Sequence, residues 1–195
     1  MAIVERLPMK SFAMMALFTA LGIPGPDLLL RACGRRAFPM LEKALLDVPT
    51  GQSLALDLDG VSVIDTSFAD ETLLELALGL IHGHYGDRFL VLDRPSPATI
   101  ENLEGTIARR RAKVALPIRE DGRMRLVGHV EPNLAEAWEL AQQVGTLTAR
   151  GLADRLGLEI NTASMRLHKL YNARLLARRE VITPSGRQHI YQLPA

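Results

Sequence analysis

From Asn161 to Leu170 the chain reads NTASMRLHKL, a stretch whose residue types and spacing suit contact with a polyanion. At helical spacing Ala163, Leu167 and Leu170 form an inner stripe, which turns Thr162, Ser164, Met165, Arg166 and Lys169 outward. Hydroxyls, a methyl group and two cations on one short face match the base edges and phosphates of a DNA major groove. Just upstream, Leu152, Ala153 and Leu156 give a second short helical pattern, and Gly157 follows where a helix end needs a left-handed residue. Asn161 and Thr162 are candidates to cap the helix after it. Downstream, Arg178 and Arg179 open a strand pattern, Pro184-Ser185-Gly186 makes a tight turn, and Arg187 and Gln188 lie at its tip. An arginine at such a tip can enter a minor groove while the helix reads the major one.

Other residues with chemistry to offer form no comparable constellation. Asp57 and Asp59 stand two apart on a strand pattern, on one face, and either form a cation site or serve the turn at Gly60. His82-Gly83-His84 with Asp87 has the residue types of a metal site, but alternate histidines diverge and no second Cys/His cluster completes a shell. The Arg109-Arg110-Arg111 run reads as a solvated helix end complementing the helix dipole, and the single Cys33 as a small buried hydrophobe. There is no Gly-rich phosphate loop, nucleophile elbow or HExxH pattern. The expectation is a non-enzymatic chain with no catalytic residue, metal or cofactor.

Composition sharpens the first reading. Over 195 residues the formal net charge is only +1, and 48% hydrophobic content is ample for a packed core. The charge is unevenly spread. Residues 146–195 hold eight Lys/Arg against three acidic side chains, a net of +5, whereas residues 1–134 are slightly acidic. Such asymmetry is what a nucleic-acid-binding module carried on a non-binding domain produces. One cysteine excludes an internal disulfide and fits a reducing, cytoplasmic setting. The apolar SFAMMALFTALGI run near the start is too short to span a bilayer, and it reads as a buried or dimer-forming helix rather than an export signal.

The elements expected around these residues follow in order. An N-terminal apolar helix, residues 1–26, ends at Pro24-Gly25-Pro26. Strand patterns at 27–33, 53–58, 88–92 and 114–118 alternate with helical patterns at 36–46, 68–81 and 97–111, and 123–130 pairs back across Glu120-Asp121-Gly122. Ser67 is the expected cap of the 68–81 helix, with Asp70 reaching back. This alternation predicts an α/β sandwich with a parallel or mixed sheet over residues 27–131. Pro132-Asn133 separates it from an α+β unit at 134–195 whose first helix, 134–144, is anchored by Trp138.

Two resemblances attach to these motifs. LADRLGL, TASMRLHKL and LLARREV…IYQL together resemble a winged helix-turn-helix of the bacterial repressor type. That implies DNA-binding roles for Thr162, Ser164, Met165, Arg166, Lys169, Arg178, Arg179 and Arg187. The Gly usual before the wing-opening Leu is replaced by Arg174, with Asn172 as the alternative left-handed residue. LALDLDGVSVIDTSFADETLLELAL resembles the STAS domain (sulfate transporter and anti-sigma antagonist) in a divergent form, through Asp57, Gly60, Val61, Asp65, Thr66 and Ser67. In partner-switching members the hydroxyl after the Asp is phosphorylated by a kinase partner, which carries over to Thr66 or its neighbour Ser67; Phe68 stands where a Gly usually follows. The resemblances imply a DNA-binding transcriptional regulator or, alternatively, a kinase-regulated interaction module. The expected partners are double-stranded DNA, a second copy in a homodimer, and a kinase or other regulatory protein, with no membrane.

Overall fold

A computed structural model describes residues 8–183 and 186–194 and shows a mixed α/β protein built on one central sheet. Its strands β1 (Met9–Ala13), β3 (Ser53–Asp57), β5 (Phe89–Asp93), β6 (Ala115–Glu120) and β7 (Arg123–Gly128) lie side by side in that order. The first four are parallel. β7 returns antiparallel to β6. Asp121 and Gly122 between them both have positive φ, 48° and 75°, the geometry whose twist suits a two-residue hairpin. A separate parallel pair joins β2 (Asp27–Leu28) to β4 (Val63–Ile64).

The start of the chain departs from the expected helix. Met9–Ala13 is the edge strand of the sheet, and helix α1 covers only Ala16–Leu21. From Ser11 to Met14 exposure alternates, with Phe12 and Met14 inward and Ser11 and Ala13 exposed, a period of two over these four residues. The α/β layer therefore begins well before residue 27. The expected 27–33 strand also shrinks, because helix α2 (Arg31–Leu46) starts as soon as Leu30 turns the chain with φ 73°. Asp65 accepts the Leu30 amide through Oδ2 at 3.0 Å. Its Oδ1 accepts the amide of Phe68 at 2.6 Å, so Asp65, and not Ser67, caps the next helix. A carboxylate caps as well as a hydroxyl and adds a favourable charge at the helix N-terminus. That helix runs through α3 (Thr66–Ala69), a π turn (Asp70–Leu74) and α4 (Glu75–Ile81) without a break. Its Asp70 does not reach back to the helix start but forms ion pairs with neighbouring helices.

Strand alternation divides the sheet between two cores. Leu54, Leu56, Leu90, Leu92, Leu116, Ile118 and Val127 face α2, α3, α4 and helix α5 (Pro97–Arg110). On the opposite face Val91, Ala115 and Met124 share a core with the C-terminal elements. Those are α6 (Pro132–Val144), β8 (Thr146–Leu147), α7 (Ala149–Leu156), α8 (Ile160–Asn172), and the hairpin of β9 (Ala177–Thr183) and β10 (Gly186–Gln192). β8 and β9 flank β10, both antiparallel. Trp138 centres this core, 3% exposed, and its indole N–H donates to the Leu175 carbonyl at 3.1 Å. Two ties fasten the C-terminal elements to the sheet. Gln142 accepts the Met124 amide at 3.0 Å. The buried Ser53 hydroxyl donates to the Pro194 carbonyl. Pro132 and Asn133 thus start α6, and sheet residues on one side of them share a core with C-terminal residues on the other.

Candidate nucleic-acid interface

Helices α7 and α8 are joined through Gly157, whose left-handed backbone (φ 63°) ends α7 where the sequence places it. Ala163, Leu167 and Leu170 are fully buried, so the expected stripe is the one α8 turns inward. Thr162, Ser164, Met165 and Lys169 are exposed, Met165 to 59%. The cap differs. Glu159 occupies the N-cap position with no side-chain bond, and Asn161 and Thr162 lie inside the first turn. No side chain among the described residues caps the start of α8 in this way, and helix N-termini of this kind can accept phosphates. Asn161 and His168, both exposed, lie opposite the buried stripe with Met165 and belong to the same face. Asn161 was expected only as a cap and His168 was not singled out, although the 3.6-residue period that selected Met165 also selects positions 161 and 168.

Arg166 is placed differently from its neighbours. Its side chain is only 17% exposed and its Nη1 donates to Glu136 at 3.1 Å and to the Asn133 carbonyl at 3.3 Å. Both partners are on α6, so Arg166 braces α8 against α6 and does not project with Met165. Lys169 lies 3.5 Å from Glu131 with both side chains about half exposed, a solvated pair of small energetic weight. On the hairpin, Arg178 lies over the Tyr171 ring, 4.1 Å from its centroid. Arg179 is exposed without an ion pair among the described residues. Arg187 is 80% exposed and reaches Glu180 at 3.5 Å across the strands. The expected hairpin turn at Pro184 and Ser185 lies outside the described residues.

Between α8 and the hairpin, Arg174 adopts the left-handed conformation itself, with φ 60°, so Asn172 does not supply it. A side chain there costs about 1 kcal/mol relative to glycine. The arginine does what glycine cannot. Its Nη1 lies 2.6 Å from Asp87 and its Nε donates to the Leu80 carbonyl at 3.2 Å, both in the α/β layer. The Tyr171 hydroxyl donates to the same Asp87 carboxylate at 2.5 and 2.6 Å. Burial, then the Asp87 bond, push the Tyr171 phenol above its ordinary range, so it stays protonated as a donor. The end of α8 and the start of the hairpin are thereby pinned to the loop before β5.

The other chemistry-bearing residues are held by neighbours. Thr66 and Ser67 form the first turn of α3, half-buried, with the Thr66 carbonyl accepting from Thr106 Oγ1 at 3.2 Å. Phe68, where the STAS pattern has Gly, is fully buried. Asp70 lies beneath Arg31 at 2.8 Å and Arg110 at 3.0 Å, and its side chain is 5% exposed. Arg94 neutralises Asp57 and Asp59 at 2.7 and 2.9 Å, so those two acids form no open cation site. Arg119 grips Asp93 through two bonds and holds its carboxyl below the usual range. His82 and His84 are exposed, and no cluster of three His, Cys, Asp or Glu able to hold a metal occurs among the described residues. Likewise no helix among them is long and apolar enough to cross a membrane. Compared with known proteins, the chain matches no family model, curated sequence or solved structure.

Proposed function

We propose that the chain is a DNA-binding transcriptional regulator in which a winged helix-turn-helix is carried on a STAS-like domain. One observation supports this most directly. The exposed face of α8 (Asn161, Thr162, Met165, His168, Lys169) belongs to the same module as the exposed hairpin cations Arg179 and Arg187, and that module holds the chain's positive excess. In this reading Asn161, Thr162, Ser164, Met165 and His168 meet base edges in the major groove. The amides at the start of α8, Lys169, Arg179 and Arg187 engage phosphates. Arg178, stacked on Tyr171, sets the direction of the hairpin. Pairing of two copies would present two such helices to a pseudo-palindromic site. Fluorescence anisotropy of the full chain on a mixed-sequence duplex tests the reading. Binding that weakens steeply with salt is expected, and absence of salt-dependent binding to any duplex rejects it. Sequencing of DNA recovered with the protein then gives the site and its half-site spacing.

A second reading, a partner-switching module answering to a kinase, is favoured by the position of Thr66 and Ser67 in the first turn of a helix. A phosphate there meets the positive end of the helix dipole and would compete with Asp65, which caps the Phe68 amide. Mass spectrometry showing modification at neither hydroxyl in cells removes that reading.

A further inference from the structure

We propose that the hollow between the end of α5 and the end of β7 binds a small organic anion, a carboxylate carried on an apolar body. The hollow has a volume of about 460 Å³, within the range of small-molecule sites. Its apolar floor is Ile107 and Ala112 with the exposed Ala108 beside them, and Arg111, Lys113 and His129, all exposed, also line it and form its rim. Glu104 is the single acid on that rim, against two permanent cations.

The three arginines that end α5 divide sharply. Arg109 and Arg110 turn toward Asp70, at 3.8 and 3.0 Å, and Arg110 also reaches Glu75 at 3.1 Å. Arg111 instead caps the helix with a left-handed backbone, φ 50°, which directs it to the hollow. Neither Arg111 nor Lys113 has an ion pair or side-chain hydrogen bond among the described residues. Elsewhere in the α/β layer Arg31, Arg35, Arg94, Arg119 and Arg125 are paired with carboxylates, Arg36 and Arg88 donate to backbone carbonyls, and Arg123 is unpaired among the described residues but lies outside the hollow. Two unpaired cations beside an apolar floor complement a ligand with the same two halves. The cations fix a carboxylate by charge-assisted bonds, and the floor removes the ligand's apolar surface from water. Inorganic phosphate satisfies only the rim, and a neutral amide only the floor. The site lies on elements apart from α8 and the hairpin, so its test is independent of DNA binding.

Isothermal titration of the full chain with 3-phenylpropionate, 3-phenylpropionamide and inorganic phosphate separates the contributions. The carboxylate is expected to bind one-to-one with a Kd on the order of 1 mM or tighter. The amide and phosphate should each bind at least roughly tenfold more weakly. Arg111→Gln and Lys113→Gln should each weaken the carboxylate by a similar factor, and Ala108→Phe, which fills the floor from an exposed helix position, should abolish it. Arg123→Gln, an unpaired cation on β7 outside the hollow, should leave it unchanged. A thermal melt of each variant separates lost binding from lost fold. The proposal is overturned if phenylpropionate shows no saturable binding below about 10 mM, or if phosphate binds equally well. It is equally overturned if folded Arg111→Gln and Lys113→Gln both bind like the parent.

Discussion

The protein has two arginine-rich surfaces that use the same side chain in opposite ways. Over the helical layer, Arg31, Arg35 and Arg110 turn inward onto Asp70, Glu71 and Glu75 and tie α2 and α5 to the π turn and α4 between them. On the C-terminal module, Arg179 and Arg187 stay in solvent, and the acids available to them are few and exposed. Charge count alone does not separate the two surfaces; pairing does. A cation already bonded to a buried carboxylate is lost to any outside partner, because pulling it away strands the acid. A solvated cation gives up only water and counterions when a phosphate arrives. The arginines thus fall into those that hold the fold and those whose solvated pairs a phosphate can replace.

Breaking the inward surface should have the largest effect. Asp70→Asn leaves Arg31 and Arg110 facing a neutral group at a side chain 5% exposed. A loss of about 3 kcal/mol is expected, roughly 1.5 for each of the two charge-assisted bonds, since both guanidiniums reach water and keep Glu71 and Glu75. Urea unfolding measures it, and a loss below about 0.5 kcal/mol would put this cluster among ordinary surface pairs.

Arg174 tests the joint between the regions. Arg174→Ala removes the Asp87 and Leu80 bonds while keeping the left-handed strain, for a loss of roughly 2 kcal/mol. Arg174→Gly removes the same bonds but sheds the strain, so it should be about 1 kcal/mol more stable than the alanine variant. Equal stability of the two would mean that the backbone there is unstrained. Tyr171 adds a pH signature on the alkaline side. Its phenol is raised, chiefly by burial, so its contribution is present below the ordinary tyrosine range and lost as pH rises through the folded value.

At the carboxyl edge of the sheet, Asp93 gives the reverse signature. Arg119 holds its carboxyl low, so the pair contributes above the usual carboxylate range and is lost as pH falls through the folded value. Asp93→Asn should cost about 1.5 kcal/mol at neutral pH and flatten the acid limb of a stability-pH curve. An unchanged acid limb would assign that slope to other carboxylates.

Local patterns carried much of this into the sequence. The inner stripe of α8, the end of α7 at Gly157 and the strands near 53–57 and 89–93 were legible because each depends on residues a few positions apart. Two features were not, and a third was only in part. Met9–Ala13 reads as helix inside a longer apolar run, and only pairing with β3, some forty residues on, reveals a strand. Asp65 outcompetes Ser67 as a cap because it also serves Leu30, a partner distant in sequence. Arg166 lies three residues after Ala163 and four before Leu170, on the flank of the buried stripe, so its inward tilt was within reach of helical spacing. What fixes it is Glu136, on another helix.

Arg166 and Arg187 give the finest test, since both are cations of the C-terminal module and the comparison separates them. Arg166→Ala should lower stability by about 1 kcal/mol, through loss of the bonds to α6, and leave base preference intact. Arg187→Ala should change stability by less than about 0.5 kcal/mol, because its Glu180 pair is solvated. Under the proposed function the order should reverse on DNA. Arg187→Ala should weaken binding alike across sequences and lower the log–log salt slope by about one, the mark of one released phosphate contact. Arg166→Ala should leave that slope unchanged while the fold persists. If it instead relaxes discrimination at one base pair, Arg166 must leave Glu136 on binding, and the ion pair to α6 is then a resting position from which α8 arms itself on the duplex.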